Sequence, residues 1–147
     1  MLDLGTALAR ACGSGVVLYL CGELGVGKTT LTRGLLRGFN YAGPVKSPTY
    51  TLLESYEIDS RRLYHLDLYR LNAPDELAYI GLRELLDDQA LVVVEWPDHG
   101  AGYLPAPDVV VDIHYADTGR WVNIEAQNAR GVALCTALEH AGFSLAQ

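Results

Sequence analysis

At 147 residues, with half of them hydrophobic and a fifth charged, the chain has the balance of one globular domain around one core, not that of a disordered segment. Its formal net charge is −7 and its only lysines are Lys28 and Lys46, so it lacks the basic footprint with which a protein holds nucleic acid unaided. The longest apolar runs, 16–21 and 90–94, are far too short to span a bilayer, and no signal-like N-terminus precedes them, which predicts a cytoplasmic protein with no membrane partner.

In chain order, Leu2, Leu4 and Leu8 with alanines at 7, 9 and 11 predict a short helix ending near Gly13. Val16–Cys21 is apolar on both faces and bounded by glycines, the pattern of a parallel strand covered on both sides. Cys12, Cys21 and Cys135 show no metal-ligand spacing and are expected to be reduced thiols. A glycine-rich loop follows the strand, then a helix from about Lys28 or Thr29 to Phe39 with Leu31, Leu35 and Leu36 inward. Tyr50–Ile58 and Leu63–Leu71 read as extended around a polar turn at 59–62. Residues 74–86 read as helical, led by Pro74 and the acids Asp75 and Glu76 and split at Gly81. Leu91–Trp96 is a second buried strand, 109–115 and 121–126 form a hairpin around Asp117-Thr118-Gly119, and a last helix covers about 130–141. This mixture predicts an α/β fold: a mainly parallel central sheet with an antiparallel portion and helices on both faces.

The loop between the first strand and second helix reads GELGVGKTT, and Gly22, Gly27, Lys28 and Thr29 satisfy G-x-x-x-x-G-K-[ST] at every defined position. The chemistry requires that spacing. Consecutive backbone N–H groups must wrap a phosphate, which calls for dihedral angles that glycine tolerates best. The helix start adds free N–H groups and its dipole. Lys28 is placed to reach the β and γ phosphates and the Thr29 hydroxyl to ligate Mg²⁺. Glu23, Leu24, Gly25 and Val26 fill the loop, and Thr30 follows in the first helical turn. The strand–loop–helix setting separates this match from a chance glycine-rich turn.

A triphosphate site also needs an acid for the metal or its waters. Glu95 ends the run 91–94, where its carboxylate would reach the carboxyl edge of the sheet beside the loop. In HLDLY, strand alternation sets His65, Asp67 and Tyr69 on one face and Tyr64, Leu66 and Leu68 on the other. His65 and Asp67 would then stand about 7 Å apart and share a site without necessarily touching. A solvated face of an edge strand would explain the same alternation. Lys46-Ser47-Pro48-Thr49-Tyr50 is a loop entering an extended segment, and a threonine in such a loop can sense a γ-phosphate or metal.

GELGVGKTTLTRG, VKSPTYTL, HLDLYRL and VVEWP, in that order, resemble the TsaE (YjeE) family over nearly the whole chain, from the first helix to the turn at Gly119-Arg120. The resemblance implies a P-loop ATPase with ATP and Mg²⁺ that serves a TsaD–TsaB partner complex in forming N6-threonylcarbamoyladenosine next to the anticodon of tRNA. It implies phosphate binding by Gly22, Glu23, Leu24, Gly25, Val26, Gly27, Lys28 and Thr29, metal binding by Thr29 and Glu95, and a hydrolytic role for Asp67; Thr30, more a helix residue than a ligand, stands with them as a cofactor-binding candidate. Thr49 matches a switch-like loop, Arg120 an arginine near the nucleotide, and Trp96 the family's E-W-P. The family usually carries a threonine near the nucleotide in a segment before the first helix, whereas here Met1-Leu2-Asp3-Leu4 opens the helix itself. A truncated start or a lost nucleotide contact is the expectation. With almost no lysine, tRNA would be met only through the partners.

Two other readings fit the phosphate loop alone. A small-molecule P-loop kinase needs an acceptor pocket and an arginine-bearing lid, and the only adjacent arginines, Arg61 and Arg62, fall in a predicted turn. A nucleotide-dependent binding switch that selects guanine generally carries N/T-K-x-D, which this chain lacks.

Overall fold

A computed structural model describes residues 1–13, 15–86 and 89–144. Helix α1 (Leu2–Ala11) leads to strand β1 (Val17–Cys21), and the glycine loop connects it to α2 (Lys28–Gly38). Strands β2 (Leu53–Ile58) and β3 (Arg61–Asp67) form a hairpin, followed by two single-turn helices, α3 (Glu76–Tyr79) and α4 (Leu82–Leu85). Strand β4 (Leu91–Glu95), a 3₁₀ turn at Pro97–Gly100, the hairpin β5 (Val109–Tyr115) and β6 (Arg120–Ala126), and α5 (Ala129–His140) complete the chain.

The six strands make one sheet in the order β2-β3-β4-β1-β5-β6. The inner pairs β3–β4, β4–β1 and β1–β5 are parallel, and the two outer pairs are antiparallel. Leu18, Leu20, Leu63, Val93, Val109 and Val111 face one core with Leu8, Leu31, Leu35 and Leu138 of α1, α2 and α5. Tyr64, Leu66, Leu68, Val92 and Val94 face the other with Leu77 and Leu82 of α3 and α4. Helices thus cover both faces, as patterning predicts. At β1 the second cover is thinner than expected: Leu18 and Leu20 are buried but Val17, Tyr19 and Cys21 only half so.

Several boundaries differ for local reasons. The hairpin turn is only Asp59-Ser60, with Asp59 left-handed at φ 56°. Strand β2 starts three residues late because the Leu52 N–H donates to Pro48 O in a turn. Strand β3 stops at Asp67 because the chain turns there: the Tyr69 N–H donates to the Asp67 carboxylate and the Leu71 N–H to Leu68 O. Gly81, at φ 70°, splits the 74–86 segment as predicted. Asn128 caps α5 by accepting from the Gly131 N–H at 2.9 Å. The three cysteines are free, and burial pushes the thiols of Cys12 up to about 12 and Cys21 up to about 11.

The alternative reading of HLDLY as a solvated edge face fails. Strand β3 is interior, between β2 and β4, and residues 63–67 are buried on both faces. Tyr69, grouped with His65 and Asp67 by alternation, lies beyond the strand end and is 42% exposed.

Candidate active site

Because β1, β3 and β4 run parallel, their carboxyl ends open on one edge, where polar side chains can collect without entering the core. Register aligns Leu20 with Glu95 and Glu95 with Asp67, so the glycine loop and both acids come to the same level. A cleft of about 170 Å³ there is lined by Leu24, Gly25, Gly27, Lys28, Thr29, Thr30, Thr49, Asp67, Glu95 and Trp96.

The loop owes its shape to glycine. Gly22, Gly25 and Gly27 take φ of 147°, 78° and 126°. A Cβ on Gly22 would stand 2.5 Å from the backbone oxygen of Ile113, so chain path and dihedral both forbid a side chain. Gly27 caps α2, and the Met1 side chain packs against it, with Cγ 3.0 Å from where a Cβ would lie. Val26 turns into the core, and its carbonyl accepts from Arg120 Nε at 2.8 Å. The Arg120 guanidinium also lies 4.6 Å from the Tyr115 ring centre, and the Tyr115 hydroxyl donates to Leu24 O. Arg120, expected near the nucleotide, thus stands at the loop and grips its backbone from the β5–β6 hairpin.

Lys28 is buried at 4% exposure, its ammonium donating to Gly22 O at 2.6 Å and Glu23 O at 2.9 Å. It also lies 4.6 Å from the centre of the Trp96 ring. Burial lowers its pKa, opposed by the Glu95 and Asp67 carboxylates. Trp96 holds a left-handed backbone, φ 57° and ψ 52°, a strained state for a bulky residue and one that clusters at functional sites. Its ring stacks on His99 and leans on Tyr69, with centroids at 5.7 and 5.1 Å.

The acids differ in surroundings. Glu95, 3% exposed, accepts from Thr29 Oγ1 at 3.3 Å, so the two expected metal donors are adjacent. Both are hard oxygens, the chemistry Mg²⁺ takes. No group of three or more His, Cys, Asp or Glu among the described residues could hold a metal unaided. A short donor set is what Mg²⁺ sites completed by phosphate oxygens and water use. Asp67 is 7% exposed, and burial pushes its pKa up, with Glu95 adding to the shift and the Tyr69 amide, His65 and Lys28 opposing it. On the second loop, the Ser47 and Thr49 hydroxyls are 2.7 Å apart; Thr49 lines the cleft and Ser47 is exposed.

Comparison with known proteins supplies the family and the fold. The model of the family described as "Threonylcarbamoyl adenosine biosynthesis protein TsaE" matches residues 1–122. The chain belongs to the TsaE family. A tRNA threonylcarbamoyladenosine biosynthesis protein TsaE from Haemophilus influenzae is 44% identical over 125 residues, 85% of this chain and 79% of the relative. The Bacillus subtilis TsaE is 37% identical, over 84% of this chain and 78% of its own. The crystal structure of YdiB from Bacillus subtilis superposes with a TM-score of 0.78 at 29% identity, covering 97% of this chain and 89% of that one. The fold is thus the P-loop fold, and TsaE membership sets the chain in tRNA threonylcarbamoyladenosine biosynthesis.

Among the expected residues, Leu24, Gly25, Gly27, Lys28, Thr29, Thr30, Thr49, Asp67 and Glu95 share the cleft. Gly22, Glu23 and Val26 contribute carbonyls behind it, two to Lys28 and one to Arg120. Sequence reasoning missed the Lys28–Trp96 contact and the Tyr115 hydroxyl on the loop. Neither has a periodic signal, since one depends on a left-handed tryptophan and the other joins residues 91 apart in the chain.

Proposed function

We propose that the chain, acting as one cytoplasmic domain, binds ATP with Mg²⁺ in this cleft and hydrolyses it. We further propose that hydrolysis acts on a TsaD–TsaB complex, resetting it between rounds of threonylcarbamoyl transfer to tRNA. The observation that carries the reading is the meeting of glycine loop, Thr29, Glu95 and Asp67 on one sheet edge, in a chain of the TsaE family.

The residues divide the work. Backbone amides of 25–29 and the α2 start bind phosphate oxygens, and Lys28 swings from the Gly22 and Glu23 carbonyls to the transferred phosphoryl group. Thr29 and Glu95 would hold Mg²⁺, which when bound neutralises charge on the phosphate oxygens. Asp67 orients the attacking water and accepts its proton at a carboxylate oxygen. Its raised pKa makes it a stronger base than an exposed aspartate, while the Tyr69 amide fixes its rotamer. Thr49, on the cleft wall, would report the terminal phosphate. No helix among the described residues is long and apolar enough to cross a membrane. With a charge of −7, contact with tRNA falls to the partners.

ATP turnover by the chain alone and with TsaB and TsaD tests this. Feeble turnover alone and a clear rise with partners are expected. Partner-independent phosphorylation of a metabolite would contradict it in favour of a kinase, and tight, salt-sensitive tRNA binding by the isolated chain would contradict the division of labour.

A further inference from the structure

The alternation that brings Asp67 to the cleft also turns His65 inward two residues earlier, where its ring has no exposed surface. Opposite His65 on β4 is Val93, and opposite Asp67 is Glu95. The imidazole therefore meets the Glu95 carboxylate from one step deeper in the sheet, with Nε2 2.5 Å from Oε2. The other ring nitrogen, Nδ1, has no partner among the described residues. A carboxylate only accepts, so the donor at this contact is Nε2–H. The Thr29 hydroxyl reaches the same Oε2. One oxygen of Glu95 thus takes both donors, and the other takes neither.

We propose that His65 is a positioning residue: its Nε2–H locks the Glu95 carboxylate beside the Thr29 hydroxyl, so that the Mg²⁺ donor pair is formed before nucleotide arrives. The proposal rests on the reading that Thr29 and Glu95 hold the metal. Glutamate has three side-chain torsions, and here one buried hydrogen bond from a rigid strand removes most of that freedom. Outer partners of metal ligands act in this way, and their loss generally weakens metal binding about 10–100-fold.

The test is a Mg²⁺ titration of the full chain with a β,γ-imido ATP analogue, read by nucleotide-dependent thermal shift, in wild type, His65→Leu and His65→Gln. Leucine removes the donor, whereas the glutamine amide can place an N–H near the Nε2 position. His65→Leu is expected to raise the half-saturating Mg²⁺ concentration about 10–100-fold, leaving nucleotide binding in chelator unchanged, and His65→Gln to restore most of the response. An unmoved Mg²⁺ midpoint in a folded His65→Leu chain, or equal damage from both variants, would overturn the positioning role alone. A wild type with no Mg²⁺-dependent binding would instead contradict the functional reading.

Ring-nitrogen NMR of the nucleotide-free chain keeps the proposal testable should His65→Leu not fold. An exchange-protected Nε2–H resonance that shifts in Glu95→Gln is expected. A ring protonated only on Nδ1, or a resonance indifferent to Glu95, would overturn it.

Discussion

Both ends of the central sheet hold buried carboxylates, and they differ in what the oxygens are committed to. At the amino edge, Asp108 is 7% exposed, as Asp67 is at the carboxyl edge. Its Oδ2 accepts from the Val17 N–H at 2.8 Å and its Oδ1 from Asn128 Nδ2 at 2.7 Å, so β1, β5 and the cap of α5 are stapled together. Beside it opens a hollow of about 620 Å³, far larger than the 170 Å³ cleft at the other end. Yet Arg130, on its wall, is bound to the Gly15 carbonyl. At the carboxyl edge, Glu95 and Asp67 line the cleft beside a buried lysine and a strained tryptophan. Size therefore does not mark the site here. The mark is carboxylates left facing a cleft that also holds the glycine loop.

The contrast can be broken by mutation, and the largest expected effect is at Lys28. Lys28→Ala removes the proposed charge-assisted phosphate contact of about 3 kcal/mol, so affinity for ATP, measured by calorimetry, should fall about 100-fold. Asp108→Ala should lower stability instead. Leaving the Val17 N–H and the Asn128 amide unpaired costs about 1–3 kcal/mol, a melting temperature lower by about 3–10 °C, while ATP affinity well below the transition stays within about twofold. A loss of affinity at Asp108 matching that at Lys28 would end the distinction between the two edges.

Smaller effects sharpen it. Arg120 holds the loop by one hydrogen bond and a stacked ring at an exposed position, so Arg120→Ala should weaken ATP binding only about three- to tenfold. A loss as large as that of Lys28→Ala would mean that the guanidinium itself meets phosphate. Smallest is a stability effect at Asp67. Its pKa in the folded chain lies above the ordinary 3.8, so over that interval the folded state binds protons that the unfolded state has released. The native carboxylate thus costs stability as pH rises through the window, and protonation relieves the cost as pH falls. Asp67→Asn should melt slightly higher than wild type at pH 7, with the gain vanishing towards pH 4, in thermal scans of the nucleotide-free chain.

Much of this was legible in the sequence, for identifiable reasons. The phosphate loop and Glu95 follow from a spacing and from a run of buried β-branched residues whose end must lie at a sheet edge. The split at Gly81 follows from glycine's freedom. The interior position of β3 was not legible, because the helical segment at 74–86 announces a crossover to β4 but not which strands flank β3 in the sheet. The strand's end at Asp67 was hidden too, since Leu68, Tyr69 and Leu71 continue the extended pattern while Asp67's own carboxylate turns the chain. Nor does periodicity indicate that Arg120 grips Val26 or that His65 reaches Glu95. Both contacts join residues distant in sequence.

The most direct test of the central claim, that the loop binds and Asp67 does the chemistry, is paired measurement of Mg²⁺–ATP affinity and partner-stimulated turnover in Asp67→Asn. Affinity within about threefold of wild type, with turnover down about 10²–10⁴-fold, is predicted for the loss of a general base. Turnover preserved in a variant that binds normally would contradict it.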